Sequence, residues 1–196
     1  MNILIGCEES AVVREAFTRL GHNAWSCDLL PSRIPGNHYQ CDVRDVLHLG
    51  WDMAIFHTPC TYLSNSGIRW LYKGGRKVNG KDPARWEAMY RDAELFLTCW
   101  NAPIPRIAME NPRPHPYALE IIGDCTQKIQ PWMFGHGETK ETWLWLKNLD
   151  ELQPTNVVNG RAHRIHEMAP GPNRQRARSE TYPGIANAFA FYWGRA

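Results

Sequence analysis

Residues 2–21 read NILIGCEESAVVREAFTRLG, and this stretch decides the fold. Its first five residues are a short apolar run ending in glycine. Residues 10–20 then set Val12, Val13, Ala16, Phe17 and Leu20 at helical spacing, and Gly21 supplies a stop. A strand, a loop carrying Cys7, Glu8, Glu9 and Ser10, and a helix are therefore expected in that order. Similar runs recur downstream. Residues 23–27 (NAWSC) read as a second strand ending at Asp28, and residues 51–57 (WDMAIFH) as another ending at the turn Thr58-Pro59-Cys60. Between them a loop bearing Pro and Gly leads to Cys41-Asp42-Val43. Residues 83–101 carry Trp86, Met89, Ala93, Phe96, Leu97 and Trp100 on one stripe, which predicts a long amphipathic helix. Residues 105–110 (PRIAME) form a strand running into Asn111-Pro112, residues 143–146 an aromatic strand, and residues 183–193 a closing helix. Strands alternating with helices at this spacing predict an α/β domain, a mostly parallel sheet with helices on both faces.

With 196 residues the chain has room for one domain with a substantial core and not for two of ordinary size. A composition of 43% hydrophobic, 21% charged and 11% aromatic residues excludes a disordered polymer or a fibrous repeat. No apolar run approaches the roughly 18 residues of a membrane span, and the first residues enter an apolar segment without a basic leader. A soluble, cytoplasmic protein with no membrane partner is expected. The six cysteines are scattered with no CxxC pair, so neither a zinc site nor a disulfide framework is indicated.

Net charge is only +2, yet the basic residues cluster. Arg69, Lys73, Arg76, Lys77, Lys81 and Arg85 are opposed by Asp82 alone. Arg161, Arg164, Arg174, Arg176 and Arg178 stand with His163 and His166 against Glu167. These are either solvated loops or contacts to a polyanionic or phosphorylated substrate. Residues 61–82, rich in Gly, Ser, Asn and Lys, are expected to form a mobile active-site loop of a length that is usually functional.

The loop of Cys7 to Ser10, then Asp28, Asp42, Cys60 and Glu110-Asn111, all lie at or just after expected strand ends. They converge on one edge, where open parallel sheets bind ligands. Cys60 is placed as a nucleophile would be, with Glu110 as its partner on the next strand edge. A thiolate can add to an electron-poor ring carbon once an acid hydrogen-bonded to a ring nitrogen supplies a proton as charge develops. Taken singly, each residue has a second reading. Cys60 could be a small buried hydrophobe, and Glu110 a cap or an ion-pair partner of Arg106 or Arg113. Asp28 could take ribose hydroxyls or cap the residues from Leu29 onward. Asp42 could take an adenine amine or cap the turn into Val43.

Together, residues 2–10, Asp28, Asp42, His57-Thr58-Pro59-Cys60 and Glu110-Asn111-Pro112 resemble the S-adenosylmethionine-dependent cytosine carbon-5 DNA methyltransferases, particularly the short versions encoded by bacteriophages and prophages. The resemblance implies a Rossmann-like class I methyltransferase fold and the cytoplasm of a bacterial or phage-infected cell. It implies that Cys60 attacks carbon-6 of cytosine, that Glu110 binds ring nitrogen 3 and the exocyclic amine, and that carbon-5 takes methyl from the cofactor's sulfonium. Pro59 and Asn111 flank these two residues as substrate contacts. Gly6, Cys7, Glu8, Glu9 and Ser10 would hold the methionine portion of S-adenosylmethionine, Asp28 with Leu29 the ribose, and Asp42 the adenine.

Residues 134–140 resemble the family's base-contacting turn. Where the family prefers Gln-x-Arg-x-Arg, this sequence has Glu138, Lys140 and Thr142, which leaves Lys140 as the substrate-contacting cation. Residues 182–187, ending at Asn187, resemble the segment that closes the cofactor pocket. Arg69 and its basic neighbours would hold phosphates, and Tyr62, Trp70 and Tyr72 would stack on a base or fill the gap left by one. Only Gly6 stands where the family has a run of glycines, and Thr58 replaces the first proline of its Pro-Pro-Cys turn. Full-length members insert a target recognition domain, for which only residues 148–178 are available here.

Three functional expectations follow: carbon-5 methylation of cytosine in DNA, the same chemistry on a free deoxycytidine nucleotide, and a nucleotide- or nucleic-acid-binding relative without catalysis. A cysteine hydrolase is the weaker fourth, because His57, three residues before Cys60 at a strand end, is expected to point away from it.

Overall fold

The computed structural model describes residues 1–169, 171 and 178–195. Seven strands, β1 (Asn2–Gly6), β2 (Asn23–Asp28), β3 (His38–Gln40), β4 (Met53–Phe56), β5 (Arg106–Pro112), β6 (Gln127–Ile129) and β7 (Thr142–Lys147), form one sheet in the order β3-β2-β1-β4-β5-β7-β6. Among these strands β7 runs opposite to the other six, pairing antiparallel with β5 and β6. The chain leaves β1 toward β2 on one side and reaches β4 on the other, so the strand order reverses beside β1.

Ile3, Leu4 and Ile5 are fully buried, as a strand covered on both faces requires. Leu4 packs with Ala54, Phe56, Ile107 and Met109 under α2 (Pro83–Trp100) and α3 (Pro116–Ile122). Ile3 and Ile5 pack with Met53, Ile55 and Ala108 under α1 (Val12–Thr18) and the closing helix, which follows a short α4 (Arg164–Glu167) and is numbered α5 (Pro183–Trp193). The α/β architecture with both faces covered is thus as the sequence predicts. None of the helices among the described residues is long and apolar enough to cross a membrane.

Helix α1 is shorter than residues 10–20 because Ala11 sits at φ 64°, outside helical geometry. Asp82 caps α2 by accepting from Arg85 N at 3.3 Å, and Pro83 occupies the first turn. Trp86, Met89, Ala93 and Phe96 of the expected stripe are buried. Residues 61–82 are wound into three 3-10 turns, Asn65–Leu71, Lys73–Gly75 and Lys77–Asn79. Leu63 and Leu71 anchor the segment in the core, and Trp86 Nε1 donates to Leu71 O at 2.9 Å.

The same segment rests on a strained acid. Burial pushes the Asp92 carboxyl up to about 6, with the Tyr62 N–H and the Arg91 charge offsetting only part of that, and its Oδ2 has no partner. An acid raised above its unfolded value near 4 favours folding least once ionised, so this cost grows as pH rises through that window and is complete above about pH 6. Asp92→Asn keeps an acceptor for Tyr62 and removes the charge. With the partial exposure of the group discounted, it is expected to add roughly 1 kcal/mol of stability at pH 7.5 and nothing near pH 4. Urea midpoints at the two pH values check this; an equal loss at both would contradict it.

Candidate active site

Parallel pairing sets Phe56 of β4 against Met109 of β5, so the next residues, His57 and Glu110, emerge side by side. His57 Nδ1 lies 3.1 Å from Glu110 Oε2, and the two side chains are only 9% and 12% exposed. An ionised carboxylate can only accept, so Nδ1 carries the proton in this contact. Burial alone would raise the Glu110 carboxyl. The His57 hydrogen bond and charge, with the charge of Lys140, outweigh it and hold Glu110 below the ordinary carboxylate value.

Three residues after His57 the chain turns at Cys60, whose carbonyl accepts from Leu63 N at 3.2 Å and Ser64 N at 2.9 Å. Burial, and then the negative charge of Glu110, push the Cys60 thiol up to about 11, while Lys140 and Arg178 pull it down. At neutral pH the group therefore rests as a thiol. Pro59 is exposed beside it.

Buried polar atoms without partners are rare in native proteins and call for a reason. Among the described residues four side chains carry one, and three of these lie at the ends of β4 and β5: His57 Nε2, Thr58 Oγ1 and Asn111 Oδ1. Asn111 is fully buried and its Nδ2 donates to Pro112 O at 2.6 Å, which fixes its unmatched oxygen in place.

Lys140 joins this group from the turn before β7. It lines a small cavity with Glu110, Thr142, Thr181, Tyr182, Ile185 and Phe189. Its Nζ donates to Glu180 O at 3.1 Å, and its N–H to Gln130 Oε1 at 3.1 Å. Glu138 shapes the same turn: it is buried and accepts from the Tyr182 hydroxyl at 2.9 Å and from Arg164. Tyr182, from the segment expected to close a cofactor pocket, thus faces Glu110. Asn187 does not join the cluster: it lies on the exposed side of α5 and accepts from Arg19 at 3.1 Å.

On the other side of the strand-order reversal, Asp28 ends β2. Its carboxyl is raised by burial and accepts from Leu30 N at 2.9 Å, and Leu29 beside it is 71% exposed. Asp42 caps the turn Val43–Val46 through Arg44 N at 2.9 Å and also pairs with the Arg44 guanidinium at 2.8 Å, which holds its carboxyl low. Glu8 turns inward to cap α1, accepting from Val13 N at 2.7 Å, Arg14 N at 3.2 Å and Ser10 Oγ at 3.1 Å. Its carboxylate and the Ser10 hydroxyl are therefore engaged within the loop. Cys7 occupies the left-handed turn at φ 59°, and burial, then Cys99 and Asp28, push its thiol well up. A Cβ at Gly6 would meet the Phe56 ring at 2.4 Å, so only glycine fits there.

Arg33 ties the two halves together. It grips Glu9 at 2.5 and 2.8 Å and Glu180 at 2.5 Å, linking the first loop to the segment that carries Tyr182. Neither this clamp nor the His57–Glu110 pair is foreseen from sequence. The signal for the second was present, since two parallel strands ending together place the following residues side by side.

Of the basic residues, Arg69 is exposed and stacks over Trp70 at 4.4 Å, while Tyr62 is half-buried with Arg85 5.8 Å from its ring. Arg161 covers Trp132 at 4.0 Å, and Arg164 is held by Glu138. Arg174 and Arg176 lie outside the described residues. No group of His, Cys, Asp or Glu among the described residues is arranged to hold a metal ion.

No protein-family model and no curated protein matches the sequence. Among solved structures the chain is similar to a prophage-encoded E. coli protein described as a DNA modification methyltransferase, at 12% identity over 87% of this chain and 55% of that one, with a TM-score of 0.52. Weaker likenesses are to a Spodoptera frugiperda DNMT2 variant (12% identity, 83% and 54% coverage, TM-score 0.40) and to the Entamoeba histolytica methyltransferase EhMeth (13%, 88% and 61%, 0.44). The chain spans between 54% and 61% of the length of these structures. The sheet order and the first of these likenesses give the chain a Rossmann-like class I methyltransferase fold.

Proposed function

We propose that the chain is an S-adenosylmethionine-dependent methyltransferase acting on carbon-5 of cytosine in DNA, through a covalent bond from Cys60 to carbon-6. The observation that carries this reading is the meeting of a thiol, a buried acid and three unmatched buried polar atoms at the adjoining ends of β4 and β5. Such a site has unpaired donors and acceptors for a polar ring.

The residues on the cofactor side fit S-adenosylmethionine: a half-buried carboxylate at Asp28 for the ribose hydroxyls, an exposed apolar Leu29 beside it, and Asp42 at the next turn. The backbone of Gly6 and Cys7 borders the methionine portion. When bound, the cofactor supplies an electrophilic methyl group on a positively charged sulfur.

The chain's own residues do the rest. Ionised Glu110 accepts from the exocyclic amine of cytosine. Glu110 takes up the proton released by the Cys60 thiol and passes it to ring nitrogen 3 as the sulfur bonds to carbon-6, while the N–H of His57 Nδ1 holds the carboxylate in place. The electron pair of the carbon-5 to carbon-6 double bond is thereby freed at carbon-5, where the new carbon–methyl bond forms. Loss of the carbon-5 proton to solvent restores the double bond as the sulfur–carbon bond breaks, the proton on nitrogen 3 returns to Glu110, and Cys60 leaves as the thiolate. Lys140, whose charge reaches both Cys60 and Glu110, favours the thiolate and balances charge on the ring. Pro59 and Asn111 border the ring, with Tyr62 and Arg69 on the side toward the rest of the strand.

A free deoxycytidine nucleotide is the second reading. The short stretch of residues 148–178, where recognition domains stand in longer proteins, and a net charge of only +2 favour it. A radiolabelled methyl-transfer assay offering duplex DNA, single-stranded DNA and each deoxycytidine nucleotide decides between them. Label in DNA is the expected result, label in mononucleotide alone selects the second reading, and label in neither overturns both.

A further inference from the structure

A second concave site lies outside the cluster just described, between residues 72–81, the N-terminal half of α2 and the length of α3. We infer that it holds the nucleotides next to the target base on a single DNA strand, an inference that rests on DNA being the substrate. Its volume of about 540 Å³ falls in the range of ligand sites.

Four rings line it: Tyr72, Trp86, Tyr90 and Tyr117. Trp86 is 5.1 Å from Tyr117 and 6.0 Å from Tyr90, and the Tyr72 and Tyr117 hydroxyls meet at 2.8 Å. Tyr90 is 52% exposed although it belongs to this aromatic wall. Two exposed lysines complete the lining: Lys81, with Nζ 3.8 Å from the Trp86 ring centre, and Lys77. Against them stands one acid, Glu120. Asp82 is engaged in capping α2. An apolar ligand has no use for the lysines, and a simple anion none for the rings; a nucleotide, with an aromatic base and a phosphate, uses both.

The groove is also joined to the candidate active site. Tyr62, the second residue after Cys60, faces Arg85 at 5.8 Å; Arg85 lies 5.9 Å from Trp70, and Trp70 is covered by Arg69 at 4.4 Å. Rings and cations thus alternate from the thiol's own loop toward the segment that lines the groove. Such alternation suits an unpaired strand, whose bases expose their faces while its phosphates meet cations. In a duplex those faces are covered by stacking.

The test is fluorescence anisotropy of a labelled single-stranded cytosine-containing oligonucleotide against the full chain, Tyr90→Ala and Lys77→Glu. Both positions are exposed, so both variants are expected to fold, which circular dichroism checks. Each should weaken binding about tenfold, the size of one lost stacking or phosphate contact, and Lys77→Glu should flatten the salt dependence. Tyr90→Ala should leave the affinity for S-adenosylmethionine unchanged. Unaltered affinity in both variants overturns the groove. Transfer to mononucleotide by a wild-type chain that binds no single strand overturns the groove and leaves the carbon-5 chemistry standing. Weakened binding in the variants of a chain that transfers no methyl supports the groove while removing the methylation reading.

Discussion

Cys60→Ser is expected to abolish methyl transfer, by on the order of 10³-fold or more, while S-adenosylmethionine affinity stays within about twofold. Burial and the neighbouring Glu110 charge already hold the Cys60 thiol at about 11, so ionising it draws on all the help Lys140 and Arg178 can give. A serine hydroxyl is far harder to ionise, and the same cations cannot make up that difference. Cofactor affinity is spared because Asp28, Leu29 and Asp42 stand at the ends of β2 and β3, across β1 from the thiol. Calorimetry for binding and label incorporation for turnover separate the two effects. Substantial turnover in the serine variant contradicts the assigned nucleophile.

Glu110→Gln is expected to lower kcat by about 10²–10⁴-fold, the usual contribution of a positioned acid–base group. Glutamine has nearly the shape of glutamate, and its carbonyl can still accept from His57 Nδ1. It cannot take up and pass on a proton, so nitrogen 3 acquires charge without relief when sulfur adds to carbon-6. KM should rise as well, because with its oxygen turned to His57 the amide presents NH2, a second donor, to the exocyclic amine. His57→Ala should show a smaller loss and a changed pH–rate profile, because it removes the partner that keeps Glu110 ionised. Equal activity of Glu110→Gln and wild type across pH 6–9 contradicts the role given to the carboxylate.

Much of the fold is legible in the sequence because the central strands are buried on both faces. The runs NILIG and MAIF cannot be solvent-exposed loops, and the stripe from Trp86 to Phe96 can only be one helix. What escapes is short. β3 and β6 have three residues each and α3 has seven, too few for a period of two or 3.6 to declare itself. β3 in particular pairs with β2 at the edge of the sheet, so tertiary pairing rather than local pattern makes it a strand.

The candidate site divides in the same way. Cys60, Glu110 and Asp28 stand out in the sequence because polar residues at the ends of apolar strands are conspicuous, and the structure places them at those ends. Glu8 looks identical in sequence to a ligand-facing acid, yet the N-terminus of α1 claims its carboxylate. Asn187 ends a segment that resembles a family motif, and helix phase turns it toward Arg19. His57 needed the register of β4 against β5, and Arg33 needed residues far apart in the chain to meet.

The most direct test of the covalent account uses a single-stranded oligonucleotide carrying 5-fluorodeoxycytidine, incubated with the protein and S-adenosylmethionine and read by intact-mass spectrometry. Fluorine at carbon-5 cannot leave as a proton does, so the sulfur–carbon bond persists once methyl has been added. The expected result is one species equal in mass to protein, oligonucleotide and methyl group together, mapping to Cys60 and absent from Cys60→Ser. Wild-type protein that methylates ordinary cytosine yet forms no such species, or forms it through another residue, would contradict it.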